Sequence, residues 1–199
     1  MATWQFDQFS KYVQKEIAPN YLFYGEELYL TDQALNILKS KVFESGLDDF
    51  NYDVFYGEDV EMDRLQEAIE TLPMMAEKRL VVLKGAHLLS ASNLDKLSEI
   101  ISVPIDSTCF IAIFNSIDQR KKIFKDLFKK MTVVELDLVS DKLIPMWTHK
   151  IAESLGKKVA PRAAKALYEL IGNRLMDLSN ELNKLACYVG DRIQIELAD

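Results

Sequence analysis

Reactive side chains are sparse in this sequence, and most stand without the neighbours their chemistry requires. His87 and His149 are the only two histidines, and neither has a cysteine or carboxylate at metal-ligand spacing. No metal site is expected. Cys109 lies inside an apolar run and reads as a small core residue, while Cys187 has no activating partner in the sequence around it. Two cysteines so far apart cannot build a disulfide framework, which fits a reducing, cytoplasmic setting. No serine sits in a nucleophile elbow. The adjacent carboxylates Glu26-Glu27 and Asp48-Asp49 read as solvated charge and not as a general acid–base pair. No catalytic residue and no cofactor are expected.

One arrangement calls for a closer test. Tyr21-Leu22-Phe23-Tyr24 reads as a strand closed by Gly25, and a helix follows from Leu28. A nucleotide-binding α/β domain cradles phosphates at such a junction. It needs several glycines so that backbone N–H groups can approach, a lysine for the β- and γ-phosphates, and a Ser or Thr for Mg²⁺. Here the junction is Gly25-Glu26-Glu27-Leu28-Tyr29-Leu30-Thr31: one glycine, no lysine and two carboxylates that would repel a triphosphate. The strand Leu80–Leu83 should end in acidic residues to hold Mg²⁺, and it ends in Lys84-Gly85-Ala86-His87. Two independent parts of an ATP site are missing, so no nucleotide-binding residue is expected. Asn115, just past the next apolar strand, is either a remnant polar sensor or an Asn capping a turn. The enzyme alternative is a degenerate but active P-loop ATPase.

Two surfaces remain as candidates. In Leu72-Pro73-Met74-Met75, the proline cannot continue the preceding helix, and two methionines then fall in a helix-to-strand connection. Met is flexible and polarizable and suits an adaptable protein-binding surface, although the pair could equally plug the end of the core. The second surface is the amphipathic helix Arg120–Lys130. It sets Ile123, Phe124, Leu127 and Phe128 against Lys121, Lys122, Lys125 and Lys129. The lysines could meet DNA phosphates as a direct DNA-binding module, or form a solvated outer face.

The elements that must position these residues follow from hydropathy. Beyond the strand at 21–24, residues 52–56, 80–83, 108–114 and 132–136 read as strands. Helical spacing recurs from Leu28 to Phe43, from Met62 to Leu72, after Ser92 as N-cap, and over Arg120–Lys130. Runs that are apolar on both faces suit a parallel sheet covered on both sides, so a three-layer α/β domain is expected over 1–140. After Val139 the strand signal disappears. Residues 143–155, a helix opened by Pro161, and a stripe of Leu175, Leu178, Leu182, Leu185 and Val189 predict a small all-α domain over 141–199. The late alternation Ile193, Ile195, Leu197 reads as the start of a further segment of a longer protein.

Composition narrows the function classes. The 199 residues are 49% hydrophobic and 28% charged, enough for a core. No apolar run reaches the roughly 18–20 residues of a membrane span, and the first residues lack a signal-peptide pattern. The net charge of −7 gives the whole chain no general attraction to DNA. The charge is uneven, with eight acids and no Lys or Arg over residues 44–63.

The segments YLFYGEELYLTDQAL (21–35), ETLPMMAEKRLVVLKGA (70–86) and LMDLSNELNKLACYVGD (175–191), in this order and spacing, resemble the delta subunit of the bacterial DNA polymerase III clamp loader. The resemblance spans nearly the whole chain. It implies an AAA+ module, with an α/β domain of about five parallel strands and a helical lid, and a third, collar domain that this chain lacks. It implies a subunit without catalysis or ATP binding of its own, inside a holoenzyme that is a DNA polymerase. The sliding clamp would be its partner, gripped by two bulky apolar residues that fall on Met74 and Met75, with Leu72 and Pro73 beside them. The ATPase subunits and delta-prime would join through the collar. Primer-template DNA would be met in the assembled loader.

Overall fold

The computed structural model describes residues 3–43 and 48–199, with the backbone alone at Asp48 and Asp49. Part of the acidic run, namely Glu44 and the carboxylates of Asp48 and Asp49, therefore lies outside the described residues, as does Met1. The chain divides into two compact units. The first takes residues 1–26 and 31–136, the second residues 27–30 and 137–199.

The first unit is built on β1 (Trp4–Gln5), β2 (Asn20–Tyr24), β3 (Tyr52–Tyr56), β4 (Arg79–Lys84), β5 (Thr108–Phe114) and β6 (Thr132–Glu135). They form one sheet in the order β1-β6-β2-β5-β4-β3, and each described pairing in it is parallel. The five strands expected from the sequence are β2 to β6. The two-residue edge strand β1 escaped notice, because two residues carry no periodicity. Its helices are α1 (Phe6–Val13), α2 (Leu28–Val42, whose first turn groups with the second unit), α3 (Asp48–Asn51), α4 (Met62–Glu70), α5 (Ala91–Ile100) and α6 (Lys122–Lys130).

The central strands are buried on both faces, and their alternate residues feed two cores. Leu22, Tyr24, Val81, Leu83, Phe110, Ala112 and Phe114 meet Leu65 and Ile69 of α4, Leu97 of α5, and Phe124 and Leu127 of α6. On the opposite face Phe9 of α1 sets its ring edge-on to Tyr21 and Phe23, at 5.6 and 5.3 Å. The end of α2 covers that face too, with Lys39 Nζ 3.9 Å above the Tyr52 ring. Burying a Leu or Phe contributes about 1.5–3 kcal/mol, so this double-sided core is what makes the sheet a rigid platform.

Several boundaries differ from the sequence reading, and α4 in particular ends at Glu70, two residues before Leu72. Ser90, not Ser92, caps α5: its Oγ accepts the Asn93 N–H at 3.2 Å. Either serine satisfies the capping rule, and the Ser90 backbone has the extended conformation the cap requires. Helix α6 begins at Lys122, because residues 118–121 form a turn closed by the Lys121 N–H on the Asp118 carbonyl.

All-parallel pairing sorts the connections. Every helix-to-strand junction reaches the rim where strands start, and every strand-to-helix junction leaves from the other. The ends of α3 and α4 therefore share a rim. At the other rim Gly57 follows β3, and a Cβ there would lie 2.2 Å from the Gly85 carbonyl oxygen, so this neighbour-strand contact requires glycine.

The second unit holds α7 (Ile144–Ser154), α8 (Pro161–Ile171) and α9 (Leu175–Val189). Pro161 occupies the first position of its helix, and Leu175, Leu178, Leu182 and Val189 are buried as a stripe. The unit is mainly helical, as expected, and also carries one short strand pair. β7 (Lys158–Val159) and β8 (Gln194–Ile195) form a small parallel sheet. The alternation at Ile193, Ile195 and Leu197 is thus this unit's own edge, with Ile195 buried.

Candidate protein-docking site

Helix α4 buries Met62, Leu65 and Ile69 and ends at Glu70. Beyond it Leu72 is 74% exposed, Met74 55% and Met75 82%. The segment therefore does not plug the core. Three large apolar side chains within four residues face solvent, and desolvating them on a partner is the favourable process open to them.

The backbone beneath them is held firmly. Met75 has φ of +54°, and among the described residues it alone of the non-glycines is positive. Such a left-handed methionine costs about 1 kcal/mol or more unless its surroundings impose it. Asn51, at the end of α3 and fully buried, accepts the Met74 N–H at 2.6 Å and donates from Nδ2 to the Met74 carbonyl at 2.9 Å. Arg79, the first residue of β4, donates to the Thr71 carbonyl at 3.3 Å and pairs with Asp53. Thr108 Oγ1 donates to the Ile69 carbonyl at 2.8 Å. Donors from β4 and β5 thus satisfy the last carbonyls around the end of α4, and Arg79 adds a cation where the helix dipole is negative. Among these groups Asn51 and Arg79 were not marked by the sequence. Asn51 reaches Met74 across 23 residues through parallel strand pairing, which no local pattern encodes.

The junction after β2 has the chemistry of an occupied site. Glu26 is exposed, but Glu27 is only 1% exposed, which corrects its reading as solvated charge. Its Oε1 accepts the Tyr29 N–H at 3.2 Å, and its Oε2 accepts the Leu175 N–H at 3.0 Å. Leu175 opens α9, so a side-chain carboxylate takes the place of an anion at that helix N-terminus within the second unit. Asn115 is exposed, and its backbone N–H lies 3.4 Å from Nδ1 of the exposed His87.

Lys121, Lys122 and Lys125 are exposed on α6 beside buried Phe124 and Leu127, so this helix has a packed face and a charged one. They are not brought together with the methionines. Lys130, at the end of the helix, is engaged with Asp126 and Ser98, and hydrogen bonds donated by Lys130 and by Ser98 hold the Asp126 carboxyl below the usual range. Cys109 is buried, and burial pushes its thiol up to about 12. Cys187 is exposed. Among the described residues, no group of three or more His, Cys, Asp and Glu could hold a metal, and no helix is long and apolar enough to cross a membrane.

A family model described as DNA polymerase III, delta subunit, matches residues 21–137. The DNA polymerase III subunit delta of Bacillus subtilis is 31% identical over 207 aligned positions, covering 98% of this chain and 59% of that protein. Among solved structures, the Bacillus subtilis DNA clamp loader delta protein superposes with a TM-score of 0.71 at 29% identity, covering 97% of this chain and 60% of that one. The Thermotoga maritima RuvB Holliday junction branch migration motor shares the fold, with a TM-score of 0.60 at 16% identity over 94% of this chain and 65% of its own. The chain spans about three-fifths of the length of the delta proteins it matches.

Proposed function

The chain belongs to the DNA polymerase III delta-subunit family, and from that premise we propose that it is the part of a clamp-loader subunit that binds the ring-shaped sliding clamp and favours its opened form. Leu72, Pro73, Met74 and Met75 form the grip. The observation that carries this reading is the exposed apolar tip on a backbone fixed from beneath. A tip already in its bound shape loses little conformational entropy on docking. Binding moves a ring between closed and open states only by its differential affinity for the two, so the tip must fit a clamp surface that the open form presents better.

The subunit performs no chemistry of its own in this reading, and acts in the cytosol during chromosome replication. The substituted phosphate junction and the buried Glu27 carboxylate support a binding role over the ATPase alternative. Residues 1–140 serve as the AAA+-like clamp-binding domain and 141–199 as the lid. Association with the ATPase subunits and delta-prime belongs to the length of the relatives that this sequence does not span. Primer-template DNA is a partner of the assembled loader, where Lys121, Lys122 and Lys125 offer phosphate contacts.

Surface plasmon resonance with the same organism's sliding clamp tests the proposal. Saturable binding, unchanged by ATP and Mg²⁺, is expected. Absence of a complex at tens of micromolar clamp would overturn it, and micromolar ATP binding by titration calorimetry would restore the ATPase alternative.

A further inference from the structure

We propose that Asn51 is the positioning residue of the docking tip, a part that no local sequence feature marks. The inference rests on the clamp-binding reading above and extends it from the side chains that touch a partner to the one that shapes them. Three observations combine. Asn51 is fully buried although it follows the exposed Phe50. Its amide engages both backbone polar groups of Met74, the N–H at 2.6 Å and the carbonyl at 2.9 Å. The next residue, Met75, holds a positive φ that a methionine avoids when free.

A primary amide is the short side chain that presents one donor and one acceptor side by side, so it pairs with a residue's N–H and carbonyl as a neighbouring strand would. The geometry is available because β3 and β4 run parallel, with Tyr52 beside Leu80. The residue before β3 and the segment before β4 then meet at one rim. Fixing Met74 at both polar groups leaves the chain few ways to reach the start of β4, and the left-handed Met75 is the one adopted. Without the amide the tip would sample other shapes, and the clamp would select the competent one at a cost in affinity.

The test uses the 199-residue chain and the sliding clamp. Hydrogen exchange read by NMR on the unmodified chain comes first. The Met74 N–H is expected to be strongly protected despite its exposed side chain, and exchange at the rate of an open loop would overturn the proposal without any variant. Asn51→Ala and the closer-sized Asn51→Leu are then expected to abolish that protection and to weaken clamp binding about tenfold. In a background of Met74→Ala with Met75→Ala, Asn51→Ala is expected to add no further loss, because the shape of an absent grip no longer matters. An additive loss would mean that Asn51 merely stabilises the fold, and would overturn the assignment. The two readings fail separately. If the methionine variant binds like the parent, the grip itself is wrong. If it loses binding while Asn51→Ala does not, only the positioning role falls.

Discussion

Replacing Met74 and Met75 together with alanine removes most of the apolar tip without touching the core. Full desolvation of a Met side chain contributes about 1.5–3 kcal/mol. Met75 is 82% exposed, so docking can still gain most of that, about 1.2–2.5 kcal/mol, and Met74 at 55% can gain about 0.8–1.7. The pair thus accounts for about 2–4 kcal/mol, or a 30- to 1,000-fold loss of clamp affinity in the double variant. The loss should appear mainly as faster dissociation, since changes at one interface act chiefly on the off-rate. Surface plasmon resonance against immobilised clamp reads both rates. Thermal unfolding of the variant should stay within about 2 °C of the parent, because exposed side chains contribute little to the fold. A change in affinity below about threefold, with the fold intact, would refute the assignment of the grip and the burial argument with it.

Further outcomes follow from other parts of the molecule. Glu27→Ala leaves the Leu175 N–H without its partner, and should destabilise the chain by about 1–3 kcal/mol, read as a lower denaturation midpoint. ATP should not rescue that variant. Arg79→Ala strands the Thr71 carbonyl and Asp53, so the midpoint should fall and proteolysis near 71–78 should rise. Cys187 should react at once with a thiol reagent at pH 8 and Cys109 only on unfolding. The Cys109 thiol, raised from 9.0 to about 12, contributes stability that is full below pH 9 and lost as pH rises towards 12. Cys109→Ala should flatten the alkaline limb of a stability–pH curve, and an unchanged limb would exclude the thiol as its cause. Neutralising Lys121, Lys122 and Lys125 as glutamines should leave clamp affinity within about twofold, since exposed charges far from a docking site act weakly.

The sequence carried the sheet well where burial is two-sided. Runs such as Leu80–Leu83 and Cys109–Phe114 are apolar on successive residues, and at this length, rich in β-branched and aromatic residues, they suit a strand covered on both faces. It carried the stripe of α9 equally well, because Leu175, Leu178 and Leu182 repeat at helical spacing. Strands of two residues, β1, β7 and β8, were invisible because their existence is decided by a partner strand. The tip was visible as Pro73 followed by two methionines, but its exposure was not, since the same residues could seal a core. Asn51 and Glu27 were illegible for a related reason. A buried polar side chain is recognised by the group it satisfies, and those groups lie at Met74 and Leu175, remote in the sequence.

The sorting of junctions by the parallel sheet has one more effect. The methionine tip leaves from the rim where strands begin, and Glu26 from the rim where they end, about 17 Å away for a five-residue strand. Between them stand hydrogen-bonded strands with filled cores on either face, which bend little. In the proposed clamp-binding role a partner would hold one end while the ring occupied the other, and neither would cover the other's ground. Such a block transmits a push along its strands much as a strut would, so an assembly gripping the far end could turn the tip against the ring without rebuilding it.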